Sequence, residues 1–160
     1  GCFSPHYFPI ELVENLTHIQ YLEFEDAAKI IKSNCEITSI NLRHPGGATG
    51  YIFETNKGKF SYLLDHEYDD ESALEIINAS KKSDLIIWDG MFTPEELSMR
   101  KGWGHSSIAQ GNDFLIKSDS KKMGISHHSP YRNDKDMTNL EKSFTNQNLF
   151  LAKEGQTIKF

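Results

Sequence analysis

The sequence predicts a layered α/β domain, a mixed sheet with flanking helices. Segments that alternate apolar and polar residues take turns with segments of helical period. Three of the alternating segments follow one another over 36–65 with only turn residues between them. The run DLIIW at 84–88 is almost wholly apolar, the pattern of a strand covered on both faces. Strands interleaved with helices bury their apolar faces by stacking in layers.

The opening, GCFSPHYFPIELVENL, is aromatic and punctuated by Pro5 and Pro9, which reads as a loop with a short helix at 10–15. THIQYLEF at 17–24 alternates as a strand, and 25–33 reads as a helical turn or a loop. EITSINLR at 36–43 alternates again and runs into His44, HPGG breaks the pattern, and TGYIFE at 49–54 resumes it. Thr55, Asn56, Lys57 and Gly58 form a hairpin turn with Gly58 open to positive φ, and KFSYLL at 59–64 returns and ends at Asp65. Residues 36–65 therefore read as three consecutive antiparallel strands.

Residues 71–82 form an amphipathic helix with Ala73, Leu74, Ile77 and Ala79 near one face. The apolar strand 84–88 ends at Asp89 and Gly90. Thr93, Pro94 and Glu96 open the next helix as N-cap, first-turn proline and capping-box partner. Another helix begins within His105, Ser106 and Ser107 and runs to about Lys117, weakened by Gly111. KMGIS at 122–126 is a strand ended by His127 and His128. A helix over 134–145 follows with Asp134 as its simplest N-cap, and 148–159 reads as two short strands around Glu154 and Gly155.

The 160 residues fit one domain, with 38% hydrophobic and 25% charged residues, ordinary for a globular protein. Mean hydropathy is -0.53, and no apolar run approaches the ~18 residues of a membrane helix. A net charge of -6, spread along the chain, argues against a broad nucleic-acid surface, which needs basic patches. It leaves an anionic substrate open, because a metal ion supplies local positive charge. Cys2 and Cys35 are too few for a disulfide framework and form no C-x-x-C pair, so a reducing cytoplasm is the expected setting. No signal-peptide pattern opens the chain, and its first residue is Gly rather than Met.

Chemistry concentrates at strand ends. His44, before Pro45-Gly46-Gly47, reads as a metal ligand on a loop whose glycines permit close approach, or as a histidine in an exposed turn. Asp65, after Tyr62-Leu63-Leu64, reads as a carboxylate made affordable by a metal, or as a strand-ending cap. His66 and Glu67 read as solvated or outer groups. Asp89 reads as a carboxylate orienting a ligand histidine, or as an Asp-Gly turn. In Gly102-Trp103-Gly104-His105-Ser106-Ser107, His105 could protonate a leaving group or merely cap a helix whose core is plugged by Trp103.

His127 and His128 lie next to each other on a strand end and point to opposite faces, so one can ligate while the other packs or meets substrate. Arg132 could hold a phosphate or serve at the surface. Ordinary turns would not be expected to set His, Asp, Asp and His at the ends of four predicted strands, and sites in α/β sheets gather at strand ends. Imidazole plus carboxylate ligands suit zinc, manganese or iron.

These residues resemble the metallo-β-lactamase superfamily, its ribonuclease Z and phosphodiesterase-like branch above all. HPGGATGY at 44–51 resembles the third metal motif, LLDHE at 63–67 the fourth and ISHHSP at 125–130 the fifth. WDGMFTPEE at 88–96 and GWGHSS at 102–107 are similar to that branch's Asp-x-x-Tyr-Thr and Gly-His-Ser-Thr segments, and the closing FLAKEGQTIKF to its terminal strands. The resemblance implies a partial αββα sandwich, with His44, Asp65 and His127 as metal ligands and Asp65 as the bridging one. It makes His105 a catalytic or substrate-binding residue, and Asp89, His128, Ser106 and Arg132 are the candidates around the ligands or the substrate.

It further implies a divalent cofactor, zinc before manganese or iron, and hydrolysis of a small phosphodiester or related ester by metal-activated hydroxide. The superfamily's first motif, His-x-His-x-Asp-His, is absent, and no two histidines are spaced i, i+2. The expectation is the C-terminal portion of a larger hydrolase, inactive or weakly active alone, sometimes without metal, and homo-oligomeric through open edges. A non-catalytic self-associating remnant of the same fold is the alternative, and a thioester or lactone hydrolase a third reading.

Overall fold

The computed structural model describes residues 35–69 and 73–159. The strand at 17–24 and the short helix at 10–15 fall outside them. The elements are β1 (Glu36–Leu42), β2 (Ala48–Thr55), β3 (Gly58–Leu63), α1 (Ala73–Ser80), β4 (Leu85–Asp89), α2 (Pro94–Ser98), α3 (Ile108–Lys117), β5 (Met123–Ser126), α4 (Asp134–Lys142) and β6 (Leu149–Leu151). The strands form one six-stranded sheet in the order β1-β2-β3-β4-β5-β6. The pairs β1/β2 and β2/β3 are antiparallel, and every later pair is parallel. Each parallel pair is joined through a helix, the connection that parallel strands require. No strand of a second sheet is among the described residues.

The mixed α/β class matches the expectation, and several details differ from it. The hairpin at 55–58 is held by the Thr55 hydroxyl, which accepts the N–H of Lys57 at 3.1 Å and of Gly58 at 3.2 Å. That side-chain turn does not need a left-handed glycine, and Gly58 is not among the positive-φ residues. In α1 the buried residues are Ala73, Ile76 and Ser80, while Leu74 is exposed, so the helix is rotated relative to the predicted face. Asn133, not Asp134, caps α4, because its side chain accepts from Lys135 and Asp136 N–H. After β6 the chain turns at Gly155 and forms no second strand among the described residues.

The capping boxes at Thr93/Glu96 and Ser107/Gln110 are both formed, so α2 and α3 start at chemically fixed positions. The core lies along β3, β4 and β5, where Leu63, Ile86, Trp88, Met123 and Ile125 are fully buried together with Phe114 of α3. Gly111 explains how α3 comes so close. A Cβ there would lie 2.7 Å from Trp88 Cδ1 and 3.1 Å from Met123 Sδ. The glycine that weakens the helix by propensity therefore lets it press onto the indole.

Candidate metal centre

The strand directions decide where the chemistry gathers. β1 and β3 are each antiparallel to β2, and β4 and β5 run parallel to β3. The C-terminal ends of β1, β3, β4 and β5 therefore share one edge of the sheet. His44 follows β1, Asp65 follows β3, Asp89 ends β4 and His127 follows β5.

Ligand-capable atoms of Asp65, Asp89, His105 and His127 all lie within 4.8 Å of one another. Asp65 Oδ1 stands 3.4 Å from His127 Nε2, and their side chains are 50% and 28% exposed, open enough to meet an ion from solvent. Both residues have left-handed backbone, φ 52 at Asp65 and 55 at His127. Four described non-glycine residues do so, the others being Lys82 and Asp119, and such conformations cost on the order of 1–3 kcal/mol each. The left-handed step turns each chain sharply at its strand end.

Asp89 is fully buried. Its Oδ2 accepts the His66 backbone N–H at 3.1 Å and meets His105 Nδ1 at 2.8 Å, and its Oδ1 accepts Met91 N–H at 3.2 Å. Both oxygens thus have partners that offset the cost of burying the carboxylate. With the ring proton on Nδ1, His105 donates to Asp89 and keeps Nε2 as a free base, or as an acid once protonated. The His105 ring stacks on His127 at 4.8 Å and meets Phe92 edge-on at 6.0 Å. Ser107, not His105, caps α3, so the histidine is free of helix capping.

His44 stands outside the group of four, with its ring 5.6 Å from that of His105. Its Nδ1 accepts Gly46 N–H at 3.1 Å, leaving Nε2 as the nitrogen able to ligate. Ser106 is a buried staple whose hydroxyl donates to His66 O and accepts Tyr68 N–H at 3.0 Å. The Arg132 guanidinium donates to Met91 O at 2.6 Å and to the Glu96 carboxylate, tying the chain after β5 to the start of α2. His128 is half-buried beside its neighbour, and burial pushes its pKa below the usual imidazole range.

His66 corrects an expectation: it is not solvated but fully buried, between Tyr68 (5.8 Å) and Trp88 (5.3 Å). Neither ring nitrogen has a hydrogen-bond partner. Burial pushes its pKa from 6.5 to about 4, against the opposing pull of Asp69. The unfolded chain takes up a proton near 6.5 that the folded chain refuses until about 4. The stability of the metal-free chain is thus full above that window and falls as pH drops through it, by roughly 3 kcal/mol from this group. Urea midpoints at pH 7 and pH 4.5 measure the loss, and His66→Phe should flatten most of it. An equal slope in the variant contradicts the assignment.

Glu67, read from the sequence as a solvated or outer group, accepts two backbone N–H groups of the loop before His105. Two glycines around Trp103 signal backbone N–H groups turned toward an acceptor, and Glu67 is that acceptor.

No family model matches the sequence, and no curated protein matches it in sequence. Among solved structures, human tRNase Z, short form (ELAC1), aligns with a TM-score of 0.64 at 17% identity, over 80% of this chain and 44% of that one. The metallo-β-lactamase fold protein YhfI from Bacillus subtilis aligns with a TM-score of 0.61 at 17% identity, over 76% of this chain and 48% of its own. A diphosphatase from the PhnP family aligns with a TM-score of 0.53 at 15% identity, over 79% and 44%. The described residues have the metallo-β-lactamase fold, and the chain spans less than half the length of each of these proteins.

Proposed function

We propose that this chain is the C-terminal part of a metal-dependent hydrolase acting on small phosphodiesters or related esters. The observation that carries the reading is the convergence of Asp65, Asp89, His105 and His127 within 4.8 Å at the strand-end edge of this fold. Two of the similar structures are named a tRNase and a diphosphatase, which favours phosphorus esters over other substrates.

Carboxylate oxygen and imidazole nitrogen are both ligands that zinc or manganese accepts. The partly exposed Asp65 and His127 would hold the ion, with His44 offering Nε2 from its own strand end. Asp89 is already committed to three N–H groups, so its role is to orient His105. A divalent ion supplies Lewis acidity and positive charge at such a site. His105, fixed through Nδ1, delivers a proton from Nε2 to the departing oxygen. Among the described strands β1 and β6 are the outer ones, and such sheet edges would support a homo-oligomer.

Titration calorimetry with zinc and with manganese tests the ion site. His127→Ala should weaken binding by at least about a hundredfold, since losing even an outer partner of a ligand costs 10–100-fold. Turnover of bis-p-nitrophenyl phosphate by the full-length protein should fall in step. Equal affinity and equal activity in wild type and variant would defeat the assignment.

A further inference from the structure

Glu67 lies outside the cluster, yet it touches the segment just before His44 and the segment just before His105. Its backbone N–H donates to Arg43 O at 2.8 Å, one residue before His44. Its carboxylate accepts Gly102 N–H at 2.9 Å through Oε1 and Gly104 N–H at 3.0 Å through Oε2. Gly102 and Gly104 have φ 85 and 92, a conformation that side-chain-bearing residues rarely adopt. A Cβ at Gly104 would lie 2.2 Å from His44 Cδ2 and 2.7 Å from Pro45 Cδ. The glycine loop therefore rests on the His44 turn, and His105 is the next residue.

We infer that Glu67 is a positioning residue: its carboxylate locks the Gly102–Gly104 loop onto the His44 turn and so fixes the His44 and His105 rings relative to each other. A carboxylate suits the task because it is acceptor-only, and charge-assisted bonds from N–H groups are stronger than neutral ones. Glutamine keeps one acceptor but turns an NH2 toward the second glycine N–H. Aspartate keeps both acceptors on a stem one methylene shorter. Trp103 sits between the two bonds at 60% exposure, while the other tryptophan, Trp88, is fully buried. The exposed indole is thus a reporter of loop motion against a rigid background.

The clamp rests on the hydrolase reading for its activity arm alone, so the two can fail separately. Glu67→Ala and Glu67→Gln are made in the full 160-residue chain, with Glu67→Asp as the conservative variant. The imidazole resonances of 15N-labelled His44 and His105 should shift and broaden in the first two, with those of His128 unmoved. Trp103 fluorescence anisotropy should drop, and aspartate should restore part of both signals.

In the full-length protein, kcat on bis-p-nitrophenyl phosphate should fall roughly ten- to hundredfold with KM unchanged, the scale of an ångström of misplacement. If alanine unfolds the chain, glutamine carries the test by itself. A folded variant whose His44 and His105 resonances coincide with wild type overturns the clamp. A wild-type protein without turnover sinks the hydrolase reading and leaves the ring resonances to decide on Glu67.

Discussion

Under the proposed function, Asp89→Asn is expected to cut turnover by the full-length protein by roughly a hundredfold or more, the scale of losing a well-held general acid, while metal affinity stays within a few fold. The reason is a count of donors. Asp89 accepts from His66 N–H and meets His105 Nδ1 at one oxygen, and accepts Met91 N–H at the other. Asparagine has one acceptor and one donor end. With its oxygen toward His105, the NH2 faces Met91 N–H. Reversed, it faces His66 N–H and forces His105 into the tautomer with the proton on Nε2.

The first orientation opposes one N–H and the second opposes one and misplaces a proton, so the first prevails. It still strands a donor in a fully buried place, at a cost of about 1–3 kcal/mol. It also removes the carboxylate charge that lies 2.8 Å from His105 Nδ1. Denaturant midpoints, kcat and a zinc titration on the same variant measure the three consequences. A collapse of zinc affinity would make Asp89 a ligand and refute its orienting role.

Trp88→Ala should destabilise the chain by about 3–5 kcal/mol, the cost of emptying a large buried site. Trp88 has no exposure, and its ring lies 4.9 Å from Phe114, 5.3 Å from His66 and 5.5 Å from Tyr68. Its indole N–H also donates to Ser107 O at 3.1 Å, so truncation removes one of that carbonyl's two donors and leaves Gly111 N–H as the other. A typical domain has only about 5–15 kcal/mol in all, so the variant should be near its unfolding threshold at 37 °C.

The loss reaches the site as well, because Ser107 follows His105 by two residues and caps the helix pressed on Trp88. Urea unfolding with an unchanged m-value measures it. A loss below about 1 kcal/mol would mean that α3 collapses into the vacated space.

The sequence by itself determined the order of the elements and where most of them stop. Alternation over 36–65 marked β1, β2 and β3, the apolar run at 84–88 marked β4, and Thr93 with Glu96 marked the start of α2. These are local signals, in which a residue and its neighbours within a turn settle the outcome. The same locality made His44, Asp65, Asp89, His105 and His127 legible as strand-end or helix-entry chemistry.

Only the tertiary structure decided which of them meet, because that depends on strand order and on the sign of φ at single residues. Left-handed steps at Asp65 and His127 turn the chain at two strand ends, and no neighbouring residue announces them. The pairing of Asp89 with His105 spans 16 residues, and the bonds from Glu67 to Gly102 and Gly104 span 35 and 37. His66 turned into the core for a similar reason: the space between Tyr68 and Trp88 exists only once β3 and β4 are side by side.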